Sequence, residues 1–165
     1  MTSTGYNFTE AELTRASRGY NGDKEYWAVL NDTFRNATGP AQCLRASGGI
    51  LSTAEDMYRW YVALRGTRIL SAQAKEKLFT PHVPETPERK SFYGYGWALF
   101  TTPRKTKLIA HNGGIGEHFK SDFRMYVEEG VAYFIAGNVA GHSAHDASSG
   151  MAKIIFARPD TKAAR

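Results

Sequence analysis

Residues 119–136 constrain the fold more than any other stretch. Phe119, Ser121, Phe123, Met125 and Val127 alternate with Lys120, Asp122, Arg124 and Tyr126, the period-two pattern of a strand with two distinct faces. Glu128-Glu129-Gly130 is a turn signal, and Val131 to Ala136 returns as a second strand, apolar on both faces. Two such runs joined by a short turn commit this region to an antiparallel ribbon. A run that is apolar on both sides reads as a central strand, yet no further strand is evident for its far edge, so self-association through 131–136 is expected.

Ahead of the ribbon stands His111-Asn112-Gly113-Gly114-Ile115-Gly116-Glu117-His118. Glycines this dense are costly unless the main chain itself must be approached. Lys107-Leu108-Ile109-Ala110 reads as a short strand, which sets His111 and Asn112 at a strand end and not on a helix.

The helical segments are marked by their caps. Thr9-Glu10-Ala11-Glu12 has the form of a capping box, with Phe8 and Leu13 placed as a staple, and predicts a helix from about Glu10 to Arg18. Ser52-Thr53-Ala54-Glu55 is a second box, and Met57, Trp60, Tyr61 and Leu64 behind it share one apolar face ended by Gly66. Ser71 caps a shorter helix through Leu78. Ala147, Met151, Ile154 and Ile155 predict the buried face of a C-terminal helix. Tyr93-Gly94-Tyr95-Gly96-Trp97-Ala98-Leu99 reads as a strand with one bulky and one nearly bare face, the bare side packed under a helix or lining a groove. Thr101 to Thr106 reads as a hairpin loop. Residues 20–49 are irregular, a long connection for a compact domain.

A chain of 165 residues is expected to form one domain, 1–165, able to bury roughly 70% of its unfolded surface. No apolar run approaches the ~20 residues of a membrane span, and no secretory signal stands at Met1. The net charge is +5, but the densest basic group is only Arg104, Lys105 and Lys107, so no nucleic-acid partner is expected. Cys43 is the single cysteine, which excludes an internal disulfide and, with no histidine near it in sequence, reads as a small hydrophobe. His142, His145 and Asp146 have ligand-like spacing, but surface and capping roles are commoner for such residues, and no metal or cofactor is expected.

Several segments together resemble the C-terminal half of the serine β-lactamase and penicillin-binding protein family, in its class C and esterase-like branch. Met1 to Tyr6 is similar to the family's Gly-Met-Thr-x-Thr-Gly-aromatic segment, and Ser47 to Met57 to its Gly-Gly-x-x-Ser-Thr-x-x-Asp-aliphatic helix start. Tyr95-Gly96-Trp97 resembles its Gly-aromatic-Gly-Trp strand. His111-Asn112-Gly113-Gly114 resembles the third active-site motif, Lys-Thr-Gly in β-lactamases and His-x-Gly in esterase-like members. The resemblance implies an α+β fold: an antiparallel sheet of about three to four strands packed with helices, an incomplete β-lactamase/transpeptidase-like body. It implies that His111 faces the nucleophile and helps hold the local charge. Gly114 would give a backbone N–H to the oxyanion, while Asn112 and Gly113 would contact substrate. Histidine in place of lysine favours esterase or peptidase chemistry over β-lactam hydrolysis.

No serine is followed three residues later by lysine, and neither Tyr-x-Asn nor Gly-x-Ser-x-Gly occurs. The recognised nucleophile motifs are therefore missing, and the resemblance sets them upstream of Met1. The expected function is that of the oxyanion-side half of a serine hydrolase for esters, amides or D-amino-acid peptides, acting on a small acyl substrate once completed. The alternative is a non-catalytic binding or interaction domain on the same fold. Members of this family are often periplasmic or secreted; the sequence itself leaves the compartment open.

Overall fold

The computed structural model describes residues 1–26, 35–36, 39–40, 45–88, 90–115 and 117–157. Cys43, Gly116, part of the irregular 20–49 stretch and the basic tail lie outside the described residues.

The alternating stretch forms strand β9, Phe119–Tyr126, and Val131–Gly137 forms β10. They pair antiparallel with Tyr126 opposite Val131 and Lys120 opposite Gly137. Gly130 turns the corner at φ +67°, with its N–H on the Val127 carbonyl, a backbone conformation that glycine adopts without strain. β9 also pairs with β8, Lys107–Ile115, in continuous register from Leu108↔Tyr126 to Ile115↔Phe119. The strand expected to stop at Ala110 therefore continues through the glycines, because β9 supplies a partner all the way.

The sheet holds six strands, in the order β10-β9-β8-β7-β6-β5, against the three to four expected. Three are too short for sequence periodicity to register: β5 is Val83–Pro84, β6 Ser91–Tyr93 and β7 Ala98–Thr101. The aromatic-glycine stretch is accordingly not one strand. It is the β6–β7 hairpin, turned at Gly94 and Gly96, where the Gly94 N–H meets the Trp97 carbonyl and Gly96 takes φ +76°. The close packing expected on its bare side exists at Gly94, where an added Cβ would lie 2.9 Å from the Leu78 carbonyl. β10 ends the sheet instead of lying inside it, and its residues 131–135 are half-buried.

Helix α1 is only Glu10–Leu13. Its capping box is formed, with Glu12 accepting from the Thr9 N–H at 2.8 Å and the Thr9 hydroxyl accepting from the Glu12 N–H at 3.3 Å. Two small sheets follow, β1 (Gly19–Asn21) with β2 (Lys24–Tyr26), and β3 (Arg35–Asn36) with β4 (Gly39–Pro40). Helix α2 runs Ala54–Arg65 and α3 Ala72–Leu78, the latter capped by Ser71 as expected. For α2 the cap is Thr53, one residue beyond the predicted one, and its side chain accepts from the Asp56 N–H. Asp56, fully buried, is thereby free to take bonds from the Ser3 N–H and the Thr4 hydroxyl, each 2.8 Å, and from Arg59 at 2.9 Å.

The apolar face of α2 packs as predicted on one side of the sheet. Leu64 joins Trp97, Leu99, Ile109, Phe123 and Met125 in the core, with Met57, Trp60 and Tyr61 against them. Trp97 meets Phe123 edge-on at 5.7 Å, a favourable aromatic geometry. Strand alternation turns Asp122, Arg124 and Tyr126 to the opposite face, under α4, Ala144–Ala157. Here the predicted helix face is rotated. Ala144 and Ser148, both small, are buried, while Met151 and Ile154 are exposed. Tyr133 donates to the Ser148 carbonyl, and Arg124 bonds both Asp122 and His145.

Candidate active site

In an antiparallel sheet each residue aims its N–H and C=O at one edge, and its neighbour aims at the other. On β8 the phase is fixed by two bonds. Val127 donates to the Lys107 carbonyl on the β9 side, and Thr102 donates to the Thr106 carbonyl on the β7 side. Ala110, Asn112 and Gly114 therefore point toward β7, and His111 and Gly113 toward β9. Pairing with β7 ends at Ala98↔Ala110, because the chain turns away there at Trp97 and Gly96. Beyond Ala110 the amides of Asn112 and Gly114 face an edge that no β7 residue covers.

All four predicted site residues, His111, Asn112, Gly113 and Gly114, are exposed and consecutive on this strand. His111 Nε2 lies 2.9 Å from the Tyr93 hydroxyl, with the rings edge-on at 6.2 Å. Gly114 is opposite Lys120. A Cβ at 114 would fall 2.8 Å from Lys120 Cδ and 3.0 Å from the Phe119 carbonyl oxygen, so the lysine stem uses the space that glycine leaves. No sequence motif marks Tyr93 or Lys120 as a site residue, since both reach the site through strand register.

His111 and Asn112 also line one end of a groove of about 740 Å³ between the sheet and α4, with Ala98, Ala110, Arg124 and Phe156 among its walls. Its polar part is tightly paired. Arg124 Nη2 is 2.9 Å and Nε 3.1 Å from Asp122 Oδ2, and Arg124 donates to His145 Nδ1 at 3.0 Å. Burial works against the Arg124 charge, but the bonds to Asp122 and Tyr126 outweigh it and raise its pKa. Burial likewise pushes the Tyr133 phenol up, so both stay protonated across neutral pH. His145 is thus engaged in this network. Among the described residues no group of three His, Cys, Asp or Glu side chains converges as a metal site. Nor is any described helix long and apolar enough to cross a membrane.

An antiparallel sheet of this order with helices on both faces is the β-lactamase/transpeptidase-like architecture. The chain belongs to the Beta-lactamase family, whose sequence profile matches residues 1–154. It is 31% identical over 71 residues to penicillin-binding protein 4* of Bacillus subtilis, a match covering 43% of this chain and 16% of that protein. The fold is similar to that of an octameric penicillin-binding protein homologue from Pyrococcus abyssi, with TM-score 0.68 and 19% identity over 94% of this chain. It is also similar to a D-stereospecific amidohydrolase from Streptomyces, with TM-score 0.58 and 21% identity over 83% of this chain. The chain spans 34% and 38% of the lengths of those two structures.

Proposed function

We propose that this chain is the oxyanion-side part of a serine hydrolase that transfers or hydrolyses the acyl group of an ester, an amide or a D-amino-acid peptide. The observation that carries the reading is the edge of β8 beyond Ala110, which no described strand pairs. A fixed N–H at Gly114, on an edge that β7 does not pair, suits a developing oxyanion, and one such donor is worth about 2.7–4 kcal/mol of transition-state stabilisation. In this reading Gly114 is that donor and His111 stands beside the attacking group. Asn112 and Gly113 line the substrate's path. The attacking hydroxyl comes from residues outside this sequence, consistent with the absence of Ser-x-x-Lys and with a chain spanning about a third of its structural relatives.

A fluorophosphonate or penicillin probe tests this. The 165-residue chain should not label, and a polypeptide extended upstream to include a Ser-x-x-Lys segment should. Labelling of the extended polypeptide should fall when Gly114 is replaced by proline, which has no N–H. Ligand binding by the short chain, with no labelling of any extended form, would favour the non-catalytic binding domain instead. We further propose that the outer edge of β10, unpaired along 131–137 among the described residues, mediates self-association. A concentration-independent monomer in sedimentation would refute that.

A further inference from the structure

The Tyr93–His111 contact carries an inference about how the histidine is used. Tyr93 closes β6, and β6 is paired on both sides, to Val83 of β5 and Ala98 of β7, so the main chain that carries the phenol is fixed within the sheet. Its oxygen lies 2.9 Å from His111 Nε2, and the edge-on rings fix the imidazole plane. Two arrangements satisfy that distance: phenol O–H to Nε2, or Nε2–H to phenol oxygen. A phenol is the more acidic partner and a neutral imidazole nitrogen the more basic one, which selects the first.

We propose that Tyr93 is a positioning residue that locks His111 in the tautomer with its proton on Nδ1. His111 then offers its surroundings a hydrogen-bond donor and has no free lone pair with which to take a proton. The role in catalysis rests on the acyl-transfer reading above, under which the base lies elsewhere; the tautomer itself does not depend on it.

Two-bond proton–nitrogen correlation on the ¹⁵N-labelled chain at about pH 8, where imidazoles are ordinarily neutral, reads the tautomer directly. His145, whose Nδ1 accepts from Arg124, serves as an internal reference for the opposite form. The expected result is an Nδ1–H pattern for His111 that relaxes to a mixture or to Nε2–H in Tyr93→Phe, with the His145 pattern unmoved. An Nε2–H pattern for His111 in the native chain overturns the proposal, and so does a pattern unchanged in a folded Tyr93→Phe variant. Should that variant fail to fold, the native pattern alone decides. Probe labelling of an extended polypeptide is a separate readout, so failure of the hydrolase reading and failure of the tautomer assignment are distinguishable.

Discussion

Replacing Asp122 with alanine should destabilise the chain more than any single change to its surface. Asp122 is 1% exposed and bonds a guanidinium that is itself almost entirely out of water, at 2.9 and 3.1 Å. Without the carboxylate, Arg124 loses its anionic partner and, among the described residues, keeps His145 and Tyr126 against the full desolvation of its charge. Stranding one partner of a buried ion pair costs about 3–5 kcal/mol, a large share of the roughly 5–15 kcal/mol that holds a typical domain together. At this chain length the melting temperature should fall on the order of 10 °C. Urea unfolding followed by tryptophan fluorescence measures the loss, with Trp97 in the core as reporter, and an unchanged dependence on urea confirms that the native state is what moved. Asp122→Ala combined with Arg124→Met should recover much of the loss, since an apolar replacement removes the stranded charge. A single-variant loss below about 1 kcal/mol, or a double variant no more stable than the single, would refute the reasoning.

Leu64→Ala should cost about 2–5 kcal/mol by opening a cavity against Leu99 and Phe123, read by the same urea titration. Thr53→Ala removes the cap that accepts from the Asp56 N–H and should cost about 1 kcal/mol. Burial pushes the Asp56 carboxyl up, but the Ser3 N–H, the Thr4 hydroxyl and Arg59 more than reverse this and hold it at about 2, below the ordinary 3.8. A folded pKa below the unfolded one means stability that is complete above about pH 4 and drains away as pH falls toward 2. Asp56→Asn should flatten that part of a stability-against-pH curve, and a native curve already flat between pH 4 and 2 would count against the assignment.

Much of the fold is legible where pattern and structure share a length scale. The β9–β10 ribbon, the apolar face of α2 and the caps at Thr9 and Ser71 follow from runs long enough to carry a period or from local hydrogen bonds. The strands β5, β6 and β7 do not, because at two to four residues they owe their existence to neighbours. Their aromatic-glycine hairpin consequently resembles a single strand. The rotation of α4 has another cause: period alone points Met151 and Ile154 inward, whereas the small Ala144 and Ser148 are the residues that are buried, with the Ser148 carbonyl taking the Tyr133 phenol. Of the candidate site, the four consecutive residues 111–114 were visible as a run. Tyr93 and Lys120 reach it from neighbouring strands, and that proximity is a product of register.

The pairing at the foot of α2 has one more consequence. Gly5 and Leu51 exchange two backbone bonds of 3.0 Å, and the carboxylate of Asp56 pins Ser3 and Thr4 just beyond them. Both ends of residues 6–50 are thus fastened at one point on the platform, and the chain is tied down again at Tyr20, which donates to the Asn138 carbonyl and accepts from the Ala140 N–H. Doubling the length of such a loop adds only about 0.6 kcal/mol of closure entropy. Changes of length between these anchor points therefore carry a small closure penalty, whereas the anchors at Gly5, Tyr20 and Leu51 are the positions where a change would loosen the span from the platform.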